Sequence, residues 1–176
     1  TGLTNQNFGE RLASIAGAVY QDFTAGTPAN TNNGVREAGE AGIANVPVTL
    51  IGTDILGNPV ALSTTTDASG NYLFDNLIEP GAAGYTITEG AIPVAAGVFN
   101  DGRETVGNAA TAPGTSAVND VFAGVRPAAG QQATSYNFGE LPIAPISGTV
   151  YIDSNRNNTL DAADPARIGG VLIQIF

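Results

Sequence analysis

The chain has 176 residues, with 16 acidic against 6 basic side chains, a formal net charge of −10 and a pI near 4.1. All the basic residues are arginine, and Lys, His, Cys, Met and Trp are absent. Those absences exclude disulfides, thiolate or imidazole metal sites and Ser-His or Cys-His nucleophiles, and the acidic balance disfavours nucleic acid as a partner. What the composition favours is a hard divalent cation bound through carboxylate and amide oxygens. The length allows one full domain of ordinary size, able to bury roughly two-thirds of its unfolded surface. No apolar run approaches the ~20 residues needed to span a bilayer, so no membrane insertion is expected in this window, and any export signal or anchor is expected outside it.

In chain order, period-2 alternation of Val, Ile, Thr, Tyr and Phe predicts strands at Ile15 to Gln21, Val46 to Gly52, Val60 to Thr66, Asn71 to Leu77, Tyr85 to Glu89, Val121 to Val125 and Thr134 to Phe138. No helix is predicted. Seven short strands separated by Gly, Pro, Asn and Asp indicate an antiparallel β-sandwich. Asp67-Ala68-Ser69-Gly70 predicts a tight hairpin, with Gly70 suited to a positive φ. The stretch from Val94 to Asn119 lacks periodicity and reads as a long loop, a surface connection or, as the lesser reading, a ligand-binding one.

The two ends of the chain repeat each other. Asn137-Phe138-Gly139-Glu140-Leu141, followed by Ile146-Ser147-Gly148-Thr149-Val150-Tyr151, echoes Asn7-Phe8-Gly9-Glu10-Arg11-Leu12, followed by Ile15-Ala16-Gly17-Ala18-Val19-Tyr20. A period this long points to a tandem array of whole domains. Residues 1–13 are read as the C-terminal end of one repeat, 14–140 as a complete repeat, 141–145 as a linker stiffened by Pro142 and Pro145, and 146–176 as the N-terminal part of the next.

The strongest chemical signal follows Tyr151. Asp153, Asn155, Asn157, Thr159, Asp161 and Asp164 occupy positions 1, 3, 5, 7, 9 and 12 of a calcium loop, in which alternate oxygen donors point inward and a distal carboxylate closes the shell. Asn158 stands where such loops place Gly, and Asn is the best substitute in a left-handed turn. The same loop follows Tyr20 with an insertion. Asp22 precedes Glu40 by 18 positions, whereas Asp153 precedes Asp164 by 11, leaving seven extra residues. Asn33, Gly34, Val35, Glu37 and Glu40 then match positions 5, 6, 7, 9 and 12, with Val35 offering its backbone carbonyl and Asn30 or Asn32 a replacement early ligand. The bland reading of both stretches is an Asn/Asp-rich turn that caps its own backbone. The alternation before Asp22 and Asp153 makes each loop a bridge between strands, not a helix-loop-helix hand.

These residues carry a resemblance. Gly148-x-Val150-Tyr151-x-Asp153-x-Asn155-x-Asn157, the run Thr65 to Leu77, Tyr85-Thr86-Ile87-Thr88-Glu89 and Tyr136-Asn137-Phe138-Gly139-Glu140 resemble serine-aspartate repeat B-type (SdrD B-like) domains over nearly the whole chain. The resemblance implies an all-β, immunoglobulin-like antiparallel sandwich in tandem array. It also implies calcium bound by Asp22, Asn33, Val35, Glu37 and Glu40, and by Asp153, Asn155, Asn157, Thr159, Asp161 and Asp164. The related collagen-adhesin B-type domains form Lys-Asn or Lys-Asp isopeptide bonds near a buried Glu; Glu89 has a similar strand context, but a chain without Lys cannot make the bond. Glu89 is left as an ion-pair partner, a calcium ligand or a solvated acid, and Asp54, Asp101, Glu104 and Asp120 as candidates for further cation sites.

The expected function is a calcium-stabilised structural repeat, not an enzyme, in a secreted bacterial cell-surface protein. It would act as a stiff stalk whose partners are neighbouring repeats. The alternatives are a subunit that assembles with identical molecules into a surface layer or filament, and a ligand-binding adhesin module, ranked third because aromatic residues are only 7% of the chain. A glycosidase is the one enzyme class carboxylates alone could serve, and no acid pair is marked for it.

Overall fold

The computed structural model describes residues 11–143 and 147–174. The chain divides after Ile143 into two compact units. Among the described residues the first holds nine strands: β1 (Ala13–Gln21), β2 (Pro47–Thr53), β3 (Pro59–Thr65), β4 (Asn71–Leu77), β5 (Tyr85–Glu89), β6 (Phe99–Asp101), β7 (Thr115–Val118), β8 (Val121–Val125) and β9 (Gln132–Pro142). They form a four-stranded sheet in the order β4-β1-β9-β6 and a five-stranded sheet in the order β3-β2-β5-β8-β7.

Alternation sets which face each strand buries. In β2, Val48 and Leu50 point inward between exposed neighbours, and in β5 Tyr85 and Ile87 are buried between half-buried threonines. Tyr72 and Phe74 of β4, Phe122 and Val125 of β8, and Tyr136 and Phe138 of β9 complete the core, with Phe122 and Phe138 ring centroids 4.6 Å apart. β1 is buried on both faces along its second half, and the chain that follows returns beside it, with Gly42 bridged to Tyr20 and the Arg36 guanidinium over the Tyr20 ring. Cations are scarce, so the sandwich relies on this apolar contact and on buried hydrogen bonds. Thr66 Oγ1 donates to the Ile43 carbonyl at 2.7 Å and accepts from the Val46 amide at 2.9 Å, and the Tyr72 hydroxyl donates to the Tyr136 carbonyl at 2.7 Å.

The all-β expectation holds, and the seven predicted strands correspond to β1–β5, β8 and β9. Three details differ. β1 and β9 run parallel, with Val19 opposite Phe138 and Gln21 opposite Glu140, within otherwise antiparallel sheets. A domain whose first and last strands lie side by side and point the same way needs the whole intervening chain as its crossover. The turn Asp67–Gly70 is tight, with the Gly70 amide donating to the Asp67 carbonyl at 2.9 Å and φ +77° at Gly70. It is not a hairpin: β3 pairs with β2, and β4 pairs with β1, so the turn passes the chain from one sheet to the other. The stretch 94–119 contains β6 and β7, and the Tyr136 hydroxyl pins it by donating to the Pro113 carbonyl and accepting from the Ala109 amide.

In the second unit, residues 147–174 contain no named strand; Tyr151 and Arg167 form an isolated antiparallel bridge, and the Ile168 amide donates to the Val150 carbonyl at 2.9 Å. The pairing on either side of the Asp153 loop is thus a single bridge, as expected for a two-stranded pair without a packed face. Ile168, Val171, Leu172 and Ile173 are exposed. The first copy of the Asn-Phe-Gly-Glu motif at 7–10 and Ile175 lie outside the described residues.

Candidate metal centre

The loop after β1 gathers its acids although they are far apart in sequence. Carboxylate oxygens of Asp22, Glu37 and Glu40 lie within 4.8 Å of one another. Asp22 is fully buried and Glu40 nearly so. The loop is shaped by its own backbone. Asp22 accepts the Asn33 amide at 3.2 Å and the Gly34 amide at 2.7 Å, while Asn33 Oδ1 accepts the Val35 amide at 2.7 Å. Asn33 Nδ2 donates to Glu37 Oε1 at 2.8 Å, and the Glu37 amide donates to Glu40 Oε2 at 2.9 Å. Asn32 and Gly34 hold positive φ, +54° and +79°, which lets the loop reverse within three residues.

The second unit repeats this pattern bond for bond. Asp153 accepts the amides of Asn157 at 3.1 Å and Asn158 at 3.0 Å; Asn157 Oδ1 accepts the Thr159 amide at 2.8 Å; and Asn157 Nδ2 donates to Asp161 Oδ2 at 2.8 Å. The Asp161 amide donates to Asp164 Oδ2 at 3.3 Å, and Arg156 and Asn158 carry the positive φ of Asn32 and Gly34. Asn155 Nδ2 also reaches Asp161, and Asp164 is fully buried. The seven-residue insertion after Asp22 thus loops out through the short 3-10 turn at Pro28–Asn30 and leaves the remaining geometry in step.

Several groups fit a cation in the first loop. Glu37 Oε2 is buried and has no hydrogen-bond partner, and burial, followed by the charges of Glu37 and Asp22, pushes the Glu40 carboxyl above its ordinary range. The Tyr20 hydroxyl, also buried and unpartnered, is pushed well up by burial and then by Asp22, Glu40 and Glu37. A hard divalent ion among Asp22, Glu37 and Glu40 would relieve this crowding of negative charge. Asn33 contributes here by positioning Glu37, and the Val35 side chain faces solvent. Asn32 is held to the loop by its amide, which donates to the Asp22 carbonyl at 2.9 Å.

Sequence reasoning did not foresee how the loop is fastened. The Asp22 amide donates to the Glu140 carbonyl at 2.9 Å, tying the loop to the end of β9. Arg36 donates to Asn71 Oδ1 at 3.1 Å and to the Ser69 carbonyl at 2.7 Å, and its guanidinium lies 5.8 Å from the Tyr20 ring centroid. The Thr105 hydroxyl donates to the Gly34 carbonyl. These partners are distant in sequence, and no local pattern marks them. Asp54, a candidate cation ligand, instead closes the β2–β3 turn by accepting the amides of Leu56 at 2.9 Å and Asn58 at 2.8 Å. Glu89 is not a solvated acid: it is buried at the end of β5.

Two sheets closed face to face over an aromatic core, with an acid-rich loop at one pole, define an immunoglobulin-like β-sandwich. The profile of the SdrD B-like domain family matches residues 13–139, and the chain belongs to that family, whose domains occur in bacterial surface proteins. Among solved structures, the major plantain pollen allergen Pla l 1 is similar at 11% identity with a TM-score of 0.37, over 76% of this chain and 98% of that one. No curated protein matches the chain. Among the described residues no helix is long and apolar enough to cross a membrane.

Proposed function

We propose that the chain is a calcium-stabilised structural repeat of a secreted bacterial surface protein, working as a stiff spacer between neighbouring repeats rather than as an enzyme. The observation that carries the reading is the gathering of Asp22, Glu37 and Glu40 in a loop bonded to the end of β9. A cation there ties the strand that opens the domain to the strand that closes it. The matching donor pattern at Asp153, Asn155, Asn157, Thr159, Asp161 and Asp164 supports a second loop of the same kind, hence a tandem arrangement of repeats that each carry a calcium loop.

Melting of the full chain in chelator and in millimolar calcium tests this. Loops of extracellular modules bind at about 0.1 to 1 mM, and free calcium at 100 times the dissociation constant adds about 2.7 kcal/mol per site. The midpoint of the first unit is expected to rise with calcium, and Glu37→Gln/Glu40→Gln to lose most of that rise. Equal midpoints in the two conditions, with no heat in titration calorimetry, would overturn the reading. A further expected result is an intact mass equal to that of the sequence, since a chain without Lys or Cys forms neither an isopeptide bond nor a disulfide.

A further inference from the structure

The two sheets leave four edge strands among the described residues, β4 and β6 in one and β3 and β7 in the other. An edge exposes unpaired backbone N–H and C=O groups, and proteins blunt it with short length, charge or a bulge. Three of these edges are blunted. β6 is three residues long and ends at Asp101. β7 is four residues long, with a register shift against β8. β4 carries Asp75, shifts register against β1, and has its first residue, Asn71, bonded to Asp67 and Arg36.

β3 lacks every such device except the proline at its first position. It runs for seven residues, Pro-Val-Ala-Leu-Ser-Thr-Thr, without a charge. All of them pair with β2 in unbroken register, from Thr65 opposite Pro47 to Pro59 opposite Thr53. Among the described residues, the ladder to β2 makes the only backbone hydrogen bonds of Pro59–Thr65. Pairing also fixes the faces. Ser63, Thr49 and Thr88 stand in one row across the outer face, and Ala61, Ile51 and Thr86 in the next, so a neutral surface extends inward from the edge. Leu62 lies opposite the buried Leu50, in the inward phase, yet is 42% exposed. At this margin the sandwich is open. A cleft of about 320 Å³ is lined by Val60, Leu62, Leu77 and Ile78, and its one acid, Asp54, is already bonded within its own turn.

We propose that β3 is a lateral pairing edge, joining the five-stranded sheet to that of a second copy of this chain, antiparallel about a two-fold axis through Leu62. This goes beyond the spacer role and does not depend on calcium. The seam is self-complementary: Ala61 faces Ser63, Val60 faces Thr64 and Pro59 faces Thr65 of the second copy, and the two Leu62 side chains meet over the open margin. Charge selects a second copy as the occupant. A basic partner gains nothing from a neutral edge, whereas two molecules of net charge −10 repel wherever acids meet and can touch here with no charge in the contact. Seven residues at about 3.4 Å each make a seam about 24 Å long. Such a seam buries less than the ~800 Å² per partner of a standard stable interface, so single pairs are weak. Chains bearing several repeats in line multiply the contact, by about 10²–10⁴-fold in avidity.

Sedimentation of the full chain up to about 1 mM tests the pairing. The dimer fraction is expected to rise with concentration, and hydrogen exchange of the β3 amides that do not donate to β2 to slow in step. Ala61→Glu/Ser63→Glu, at exposed positions, sets like charges opposite each other twice in the seam and should weaken association about tenfold. Thr115→Glu/Ala117→Glu adds the same charge to β7 and should change association little. Ala61→Lys/Ser63→Lys should also fail to pair with itself, yet its equimolar mixture with Ala61→Glu/Ser63→Glu should restore the dimer. Should a variant unfold, the concentration dependence of exchange in the parent chain decides. A chain that stays monomeric throughout, association that survives Ala61→Glu/Ser63→Glu, an equal loss from the β7 substitutions, or a mixture that does not associate overturns the proposal. The spacer reading rests on the calcium-dependent midpoint and is unaffected by any of these results.

Discussion

Gly17→Ala is expected to remove most of the stability of the first unit, with its urea midpoint falling by about half or more. Gly17 faces Tyr136 across the parallel β1–β9 ladder, and a Cβ there would stand 1.7 Å from the Tyr136 carbonyl oxygen and 2.7 Å from the Tyr72 hydroxyl. The obstacle is backbone in the centre of a sheet, so no side-chain rotation relieves it. Parting the strands would also break the Tyr72-to-Tyr136 hydrogen bond and open the packing of Phe138 on Phe122. Overpacking of this severity belongs with substitutions costing more than about 4 kcal/mol, against about 5–15 kcal/mol for a whole domain. Gly148→Ala, with open space around its Cβ, serves as the control and should leave the midpoint unchanged. A shift of less than about 1 kcal/mol for Gly17→Ala would mean that β1 and β9 do not approach as described.

In chelator, the thermal midpoint of the first unit is expected to fall steadily as pH rises from 5 to 9. The folded protein holds the Glu89 and Glu140 protons to about 9 and about 8, above the ordinary value of 4.5 that the unfolded chain retains. Folding therefore takes up protons over that window. The stability these groups contribute is complete below pH ~4.5 and is lost as pH passes their folded values. Glu40 acts in the same direction, and Asp101, raised by burial and then by Asp120, adds to it. The carboxyls held below their ordinary range, Asp54, Asp67 and Asp161, act only in more acidic solution, so they do not mask the slope. Glu89→Gln should flatten the profile and raise the midpoint most at pH 9. A midpoint that is level or rises between pH 5 and 9 in chelator would contradict the burial of this pair.

Much of the fold was legible because strands half-buried in a sandwich must alternate. The spans of β4, β5 and β8 follow from that rule alone. β6 and β7 escaped it because they are three and four residues long, too short to show a period. The Asp67–Gly70 turn was misread as a hairpin because turn chemistry fixes the reversal of the chain, not the sheet that the next strand joins. At the site, the Asp22, Glu37 and Glu40 cluster follows from donor spacing once the insertion is removed, whereas Arg36 and Thr105 reach the loop through folds of the chain that no spacing encodes. Glu89 and Glu140 did carry a readable signal. Each is an acid in the inward phase of an otherwise apolar strand face, and such a residue is marked for burial by the same alternation that marks Ile87 and Phe138.

The parallel pairing of β1 with β9 has a mechanical consequence. The chain enters the sandwich at the start of β1 and leaves at the end of β9, and these points lie at opposite poles because the two strands run the same way. Tension along the polypeptide then pulls the two strands past each other lengthwise. The backbone bonds between Ser14 and Gln21 on one side and Gln132 and Glu140 on the other are loaded in shear, all at once, instead of being peeled one at a time. Rupture under load is governed by the unfolding rate, so a clamp that must fail as a unit resists force for longer than an equal number of bonds opened in turn. The Asp22 amide on the Glu140 carbonyl extends the clamp by one bond at its downstream end, beside the acid-rich loop. An ion seated there would act as a rivet on the strand pair that bears the pull.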